Sequence, residues 1–166
     1  MTWRLGRLVC LIGAAACASG GGAGAASQQG RNSNQWMGSF KPSASASNAS
    51  LAPATPNRGT GTVTVTALST SPARSNVELS INAGAGAVDQ VAWQIFTGAC
   101  GSPGPSVAGQ SQFAPISVSS TGDGHLRTEM PFALDKAGTY HVNVYWTPRA
   151  NDMNDVMMCA NLQLGG

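Results

Sequence analysis

The chain has 166 residues, enough for one domain of ordinary size, and a formal net charge of +2. Only 10% of it is charged, and once Arg4 and Arg7 are set aside with an export-type N-terminus, seven basic residues face seven acidic ones. That balance offers no basic stripe for nucleic acid and no polybasic segment for an anionic membrane surface.

Residues 1–17 read as a signal peptide. Arg4 and Arg7 form a short basic region, Leu8 to Gly13 an apolar run, and Ala14-Ala15-Ala16 lead into Cys17. The apolar run is far shorter than the roughly 20 residues that span a bilayer. The arrangement resembles a bacterial lipoprotein signal, in which the cysteine is lipidated and becomes the mature N-terminus. The alternative is ordinary signal cleavage after Ala18, since Ala16-Cys17-Ala18 also fits a small-x-small site. Residues 18–39 are mostly Gly, Ala, Ser, Gln and Asn. Such a stretch buries too little surface to offset its ordering entropy and reads as a flexible tether. Trp36 and Phe40 interrupt it, either docking on the folded domain or starting it. The domain is expected over residues 40–166.

Strand patterns follow. Ser43–Leu51 is a weak first edge strand. Thr60–Leu68 alternates, with Val63, Val65 and Ala67 on one face and threonines on the other. Asn76–Asn82 repeats the signal with Val77, Leu79 and Ile81 inward. After the turn Gly84-Ala85-Gly86, Val88–Thr97 is the next strand, with Trp93 and Ile95 inward. Gly98–Gln112, rich in Gly, Pro and Ser, reads as a long loop. Phe113–Val118 is a short strand, Gly122-Asp123-Gly124 a turn, and His125–Met130 a strand. Lys136-Ala137-Gly138 turns the chain into Thr139–Trp146. The polar loop Thr147–Asp155 precedes Val156–Leu162. No segment keeps a helical period over ten or more residues. Short strands spaced by turn signals predict an all-β fold, an antiparallel sandwich or flattened barrel.

Of the four cysteines, Cys10 leaves with the signal and Cys17 would carry the lipid. Cys100 and Cys159 remain in a compartment that permits disulfides. A bond between them would close a loop worth roughly 4 kcal/mol in the chain-entropy model. Two buried free thiols are the alternative.

Two segments carry a family resemblance. The run Trp93-Gln94-Ile95-Phe96-Thr97-Gly98-Ala99-Cys100-Gly101-Ser102-Pro103-Gly104-Pro105 resembles the copper-site strand and disulfide loop of the copper/zinc superoxide dismutase-like family. There, an aromatic-His-aliphatic-His strand enters a Gly-Cys-Gly-rich loop. The run Tyr140-His141-Val142-Asn143-Val144-Tyr145, with Met158-Cys159-Ala160-Asn161-Leu162 after a loop, is similar to the family's Val-x-Val-His strand and Ala-Cys-Gly-x-Leu. The resemblance covers roughly residues 43–162 and implies a Greek-key β-sandwich with Cys100 bonded to Cys159. It places the copper-ligand positions on Gln94, Phe96 and Tyr145, and the metal-bridging position on or next to Ser106. None is histidine, and no His-x-Asp cluster lies in Gln110–Thr121. Carboxamide and phenyl groups are poor or useless copper ligands. No metal, no cofactor and no dismutase activity are therefore expected, because redox cycling needs a ligated ion.

Alternation places Gln94 and Phe96 outward, along with His141, Asn143 and Tyr145. If the two strands are neighbours, Phe96 and Tyr145 meet on an outer face. They are then either covered by the Gly98–Gln112 loop or exposed as a patch of the kind that binds partners. His125 and His141 read as surface residues. Met153, Met157 and Met158 invite a soft-metal reading, but adjacent strand residues point to opposite faces, and core filling is the plainer use. Asp152 and Asp155 look solvated, and no Gly-x-Ser-x-Gly turn occurs. The expected protein is a non-catalytic exported β-sandwich. It would be a lipoprotein anchored through Cys17 at the periplasm or cell surface, with a structural or binding role and an envelope protein as partner. Two alternatives are an envelope copper-handling protein using His141, His125 or methionines, and an enzyme of unrecognised chemistry in the Gly98–Gln112 loop.

Overall fold

Alternating β-branched and polar residues cannot satisfy both water and a core as a helix, and the chain resolves the conflict as sheet. The computed structural model describes residues 34–43, 59–84, 89–146 and 155–165. Its strands are β1 (Gln35–Pro42), β2 (Thr60–Leu68), β3 (Arg74–Asn82), β4 (Gln90–Val91), β5 (Trp93–Ala99) and β6 (Ser102–Ser106). They continue with β7 (Ile116–Ser117), β8 (Asp123–Met130), β9 (Tyr140–Tyr145) and β10 (Val156–Leu164). A 3-10 turn covers Gln110–Gln112.

Eight strands form one curled antiparallel sheet in the order β6-β5-β9-β10-β1-β2-β3-β8, and β4 pairs with β7 beside it. β1, β2 and β3 form a meander, and β10 returns from the far end of the chain to lie beside β1, a Greek-key relation. The fold is the expected all-β antiparallel sandwich or flattened barrel.

The inner faces meet as read from the sequence. Val65 lies opposite Val77, Val63 opposite Leu79, and Ile95 opposite Val142, and all are buried. Each such side chain contributes about 1.5–3 kcal/mol of transfer free energy. Trp93 donates its indole N–H to the Ala114 carbonyl at 2.8 Å and meets Phe113 edge-on, with ring centroids 4.9 Å apart. The outer face of β3 and β8 is polar, with Arg74 paired to Glu129 and Arg127 to Glu78.

Five expectations need correction. The sandwich reaches back before Phe40: β1 starts at Gln35, is paired on both sides, and places Trp36 and Phe40 in the core. β1, rather than Ser43–Leu51, is the first described strand; residues 44–51 lie outside the described residues. Val88–Thr97 is two strands, because the chain leaves the small sheet after Val91 and enters the large one at Trp93. Gly98–Gln112 is not one loop: β6 pairs with β5 and forms a rim of the sheet. Finally, Met157 and Met158 do not point to opposite faces. A register shift between Val156 and Met158 breaks the alternation, and both methionines enter the main core. Cys17, Asp152, Met153 and residues 18–33, expected as part of a tether, lie outside the described residues.

Candidate functional site

The outer face of β5, β9 and β10 is where the structure departs most from ordinary strand alternation. Side chains facing away from the main core should be wet, yet His141 is 0% exposed and Asn143 and Tyr145 are 2% exposed. The reading of His141 as a surface residue is therefore corrected. The cause is the disulfide. Cys100 at the end of β5 is bonded to Cys159 on β10, with Cα atoms 6.0 Å apart. β9 runs between those strands. The turn carrying Cys100 must therefore cross the outer face of β9 and roof it.

Two local features hold the turn. Gly98 adopts φ +87°, where a Cβ would sit 2.7 Å from the Ser102 carbonyl oxygen. The Cys100 backbone N–H donates to Asn161 Oδ1 at 2.8 Å. Beneath the turn, His141 Nδ1 lies 3.0 Å from the Gly98 carbonyl oxygen. A carbonyl only accepts, so Nδ1 carries the proton and Nε2 presents its lone pair, with no hydrogen-bond partner. The imidazole stacks on Phe96 with centroids 5.5 Å apart and planes 17° from parallel. Burial pushes the His141 pKa down, and the Gly98 carbonyl offsets only part of that.

The expected positions do come together. Phe96 pairs across the sheet with His141 and Gln94 with Asn143. Tyr145 ends β9 and packs with Ala92, Val156 and Phe96 in a small second core. Burial raises the Tyr145 hydroxyl pKa, and a hydrogen bond with Asn143 opposes that rise. Tyr145 is thus buried in the second core, and Phe96 lies half-buried against it. Ser106 sits on β6 directly across from Phe96, its hydroxyl 2.8 Å from the Ala108 carbonyl oxygen and 3.3 Å from that of Ile95. A carboxamide, a phenyl ring, a buried phenol and an engaged hydroxyl do not fit a copper ion. Among the described residues, no group of three or more His, Cys, Asp or Glu side chains could hold a metal. His125 lies exposed on β8, remote from His141.

Beside the disulfide, the outer faces of β1 and β10 frame a groove of about 650 Å³. Met37, Ser39 and Lys41 line one wall, Cys159, Asn161 and Gln163 the other. Lys41 pairs with Cys159 and Met37 with Gln163, so each wall presents alternate residues of its strand. The sequence reading missed this groove. Its signal was the alternation of Trp36 and Phe40 with Met37, Ser39 and Lys41, visible once Gln35–Pro42 is taken as a strand.

The fold defines an antiparallel β-sandwich whose distinctive feature is a disulfide-roofed outer face beside a groove. No family model, no curated protein and no solved structure matches the chain.

Proposed function

We propose that this protein is an exported, membrane-tethered β-sandwich that acts by binding at the cell envelope and not by catalysis, and that it is a metal-free relative of copper/zinc superoxide dismutase-like proteins. The observation that carries the reading is the groove of mixed polar and apolar lining framed by the Cys100–Cys159 bond. It adjoins the face where the family resemblance would put a metal, and there the ligand positions hold Gln94, Phe96 and Tyr145, with His141 the one imidazole beside them. The adjacency of the strand bearing Gln94 and Phe96 to the strand bearing Tyr145 supports the resemblance. The disulfide suits an oxidising compartment outside the cytosol.

Cell fractionation tests the tether. The wild-type protein should partition with membranes, and Cys17→Ser should move it to the soluble fraction; a wild-type chain that is soluble and begins at Ser19 refutes the lipoprotein reading. Copper titration of the Gln94→His, Phe96→His, Tyr145→His triple variant tests the resemblance. Weak copper binding is expected if the backbone is kept. A folded triple variant that binds none counts against the relationship, and stoichiometric copper or zinc in the native protein would overturn the non-catalytic reading.

A further inference from the structure

We propose that the groove beside the disulfide binds a short stretch of an acidic polysaccharide, with a carboxylate on Lys41 and sugar hydroxyls on Ser39, Asn161 and Gln163. The proposal deepens the binding role above and rests on it. Lys41 supplies the first argument. It is exposed, and among the described residues no Asp or Glu lines the groove. Arg74 and Arg127, on the other half of the sheet, are each matched by a glutamate, whereas Lys41 makes no ion pair among the described residues. An unopposed ammonium among uncharged groups, part polar and part apolar such as Met37 and Val156, favours an anionic ligand.

The walls supply the second argument. Asn161 Oδ1 is occupied by the Cys100 N–H, which fixes the amide and leaves Nδ2 to donate. Ser39 and Gln163 add a hydroxyl and a second amide on the same two strands. Groups that both donate and accept suit a polyhydroxylated ligand. From Met37 to Lys41 the wall runs about 13 Å at strand rise, longer than one sugar ring. The volume of about 650 Å³ falls within the usual range for ligand sites, roughly 300–1,000 Å³.

A peptide fits less well. β1 and β10 are each paired on both sides, so neither offers a free edge for backbone augmentation. The ligand must be read by side chains. With no aromatic ring among the described residues that line the groove, the affinity should be weak.

The test is an NMR titration of the 15N-labelled mature protein with trigalacturonate, neutral maltotriose and monomeric galacturonate. Saturable shifts at Ser39, Lys41, Gly101, Asn161 and Gln163 are expected with the acidic trimer. Lys41→Gln should weaken binding at least tenfold, Lys41→Arg should keep most of it, and Arg127→Gln should leave it unchanged. No saturable shift, equal binding of maltotriose, or wild-type affinity in Lys41→Gln overturns the proposal. Equal affinity for the monomer overturns the polymer assignment. Lys41→Gln should not alter membrane partitioning. Wild type found soluble refutes the tethered reading whatever the titration shows, whereas a failed titration on a membrane-bound protein removes only the ligand.

Discussion

Acid should destabilise this protein through His141, and the effect can be isolated from every other titration. The neutral imidazole is fully buried, with Nδ1 on the Gly98 carbonyl and Nε2 unpartnered. Protonation would bury a charge and an unanswered N–H. The charged groups of the neighbouring strands do not relieve it: β5 presents Phe96 and Gln94, β10 presents Asn161 and the disulfide, and Lys41 across the groove is itself a cation. The folded pKa thus lies below the ordinary value of 6.5. The native state then binds fewer protons than the unfolded chain. This contribution is fully present above pH 6.5 and is lost as pH falls towards the folded value, at up to about 1.4 kcal/mol per pH unit. His141→Phe keeps a ring against Phe96, forfeits about 1 kcal/mol with the Gly98 hydrogen bond, and cannot titrate. Urea unfolding of both proteins from pH 8 to 4.5, without reductant, should give curves that converge as pH falls. Parallel curves, or an NMR pKa for His141 at or above 6.5, would refute the reasoning. Replacing exposed His125 is the control and should not remove the pH dependence.

Other outcomes follow from the same packing. Cys159→Ser releases the loop closed by a bond spanning 59 residues and should cost roughly 4 kcal/mol, read as a lower urea midpoint under non-reducing conditions. Trp36→Ala should cost about 3–5 kcal/mol, while truncation before residue 34 should leave the midpoint unchanged; the reverse pattern would remove β1 from the domain. Gly98→Ala forces a side chain into a left-handed backbone and against the Ser102 carbonyl. It should cost about 1–3 kcal/mol and speed hydrogen exchange at Cys100 and Gly101.

Much of the sandwich was legible because β2, β3 and β9 alternate in the plain way. Val63, Val65, Val77, Leu79, Val142 and Val144 all face the core they were expected to face. What was not legible has particular causes. β6 is Ser-Pro-Gly-Pro-Ser, a composition that reads as loop, and it is a strand only because the disulfide hairpin lays it along β5. β1 reads as tether because Gly38 and Ser39 dilute it; Gly38 is required there, since a Cβ would lie 2.8 Å from the Asn161 carbonyl oxygen. The methionine pair defeated alternation through a bulge. His141 was misplaced because its burial comes from a turn crossing β9, which strand periodicity does not encode. Gln94, Phe96 and Tyr145 lie together because β5 pairs with β9, whereas the groove depends on β1, which reads as tether in the sequence.

The curled sheet does not close, so it keeps two rims, β6 and β8. Pro103 and Pro105 strip backbone donors from β6, and Arg127 and Glu129 charge the side chains of β8. Both are ways of denying a neighbouring molecule a strand to pair with. If the proposed lipid anchor gathers copies on one membrane, they would meet at high local concentration, where an unguarded rim would zip them into a continuous ribbon. The prolines that make β6 read as loop would then also keep such copies separate.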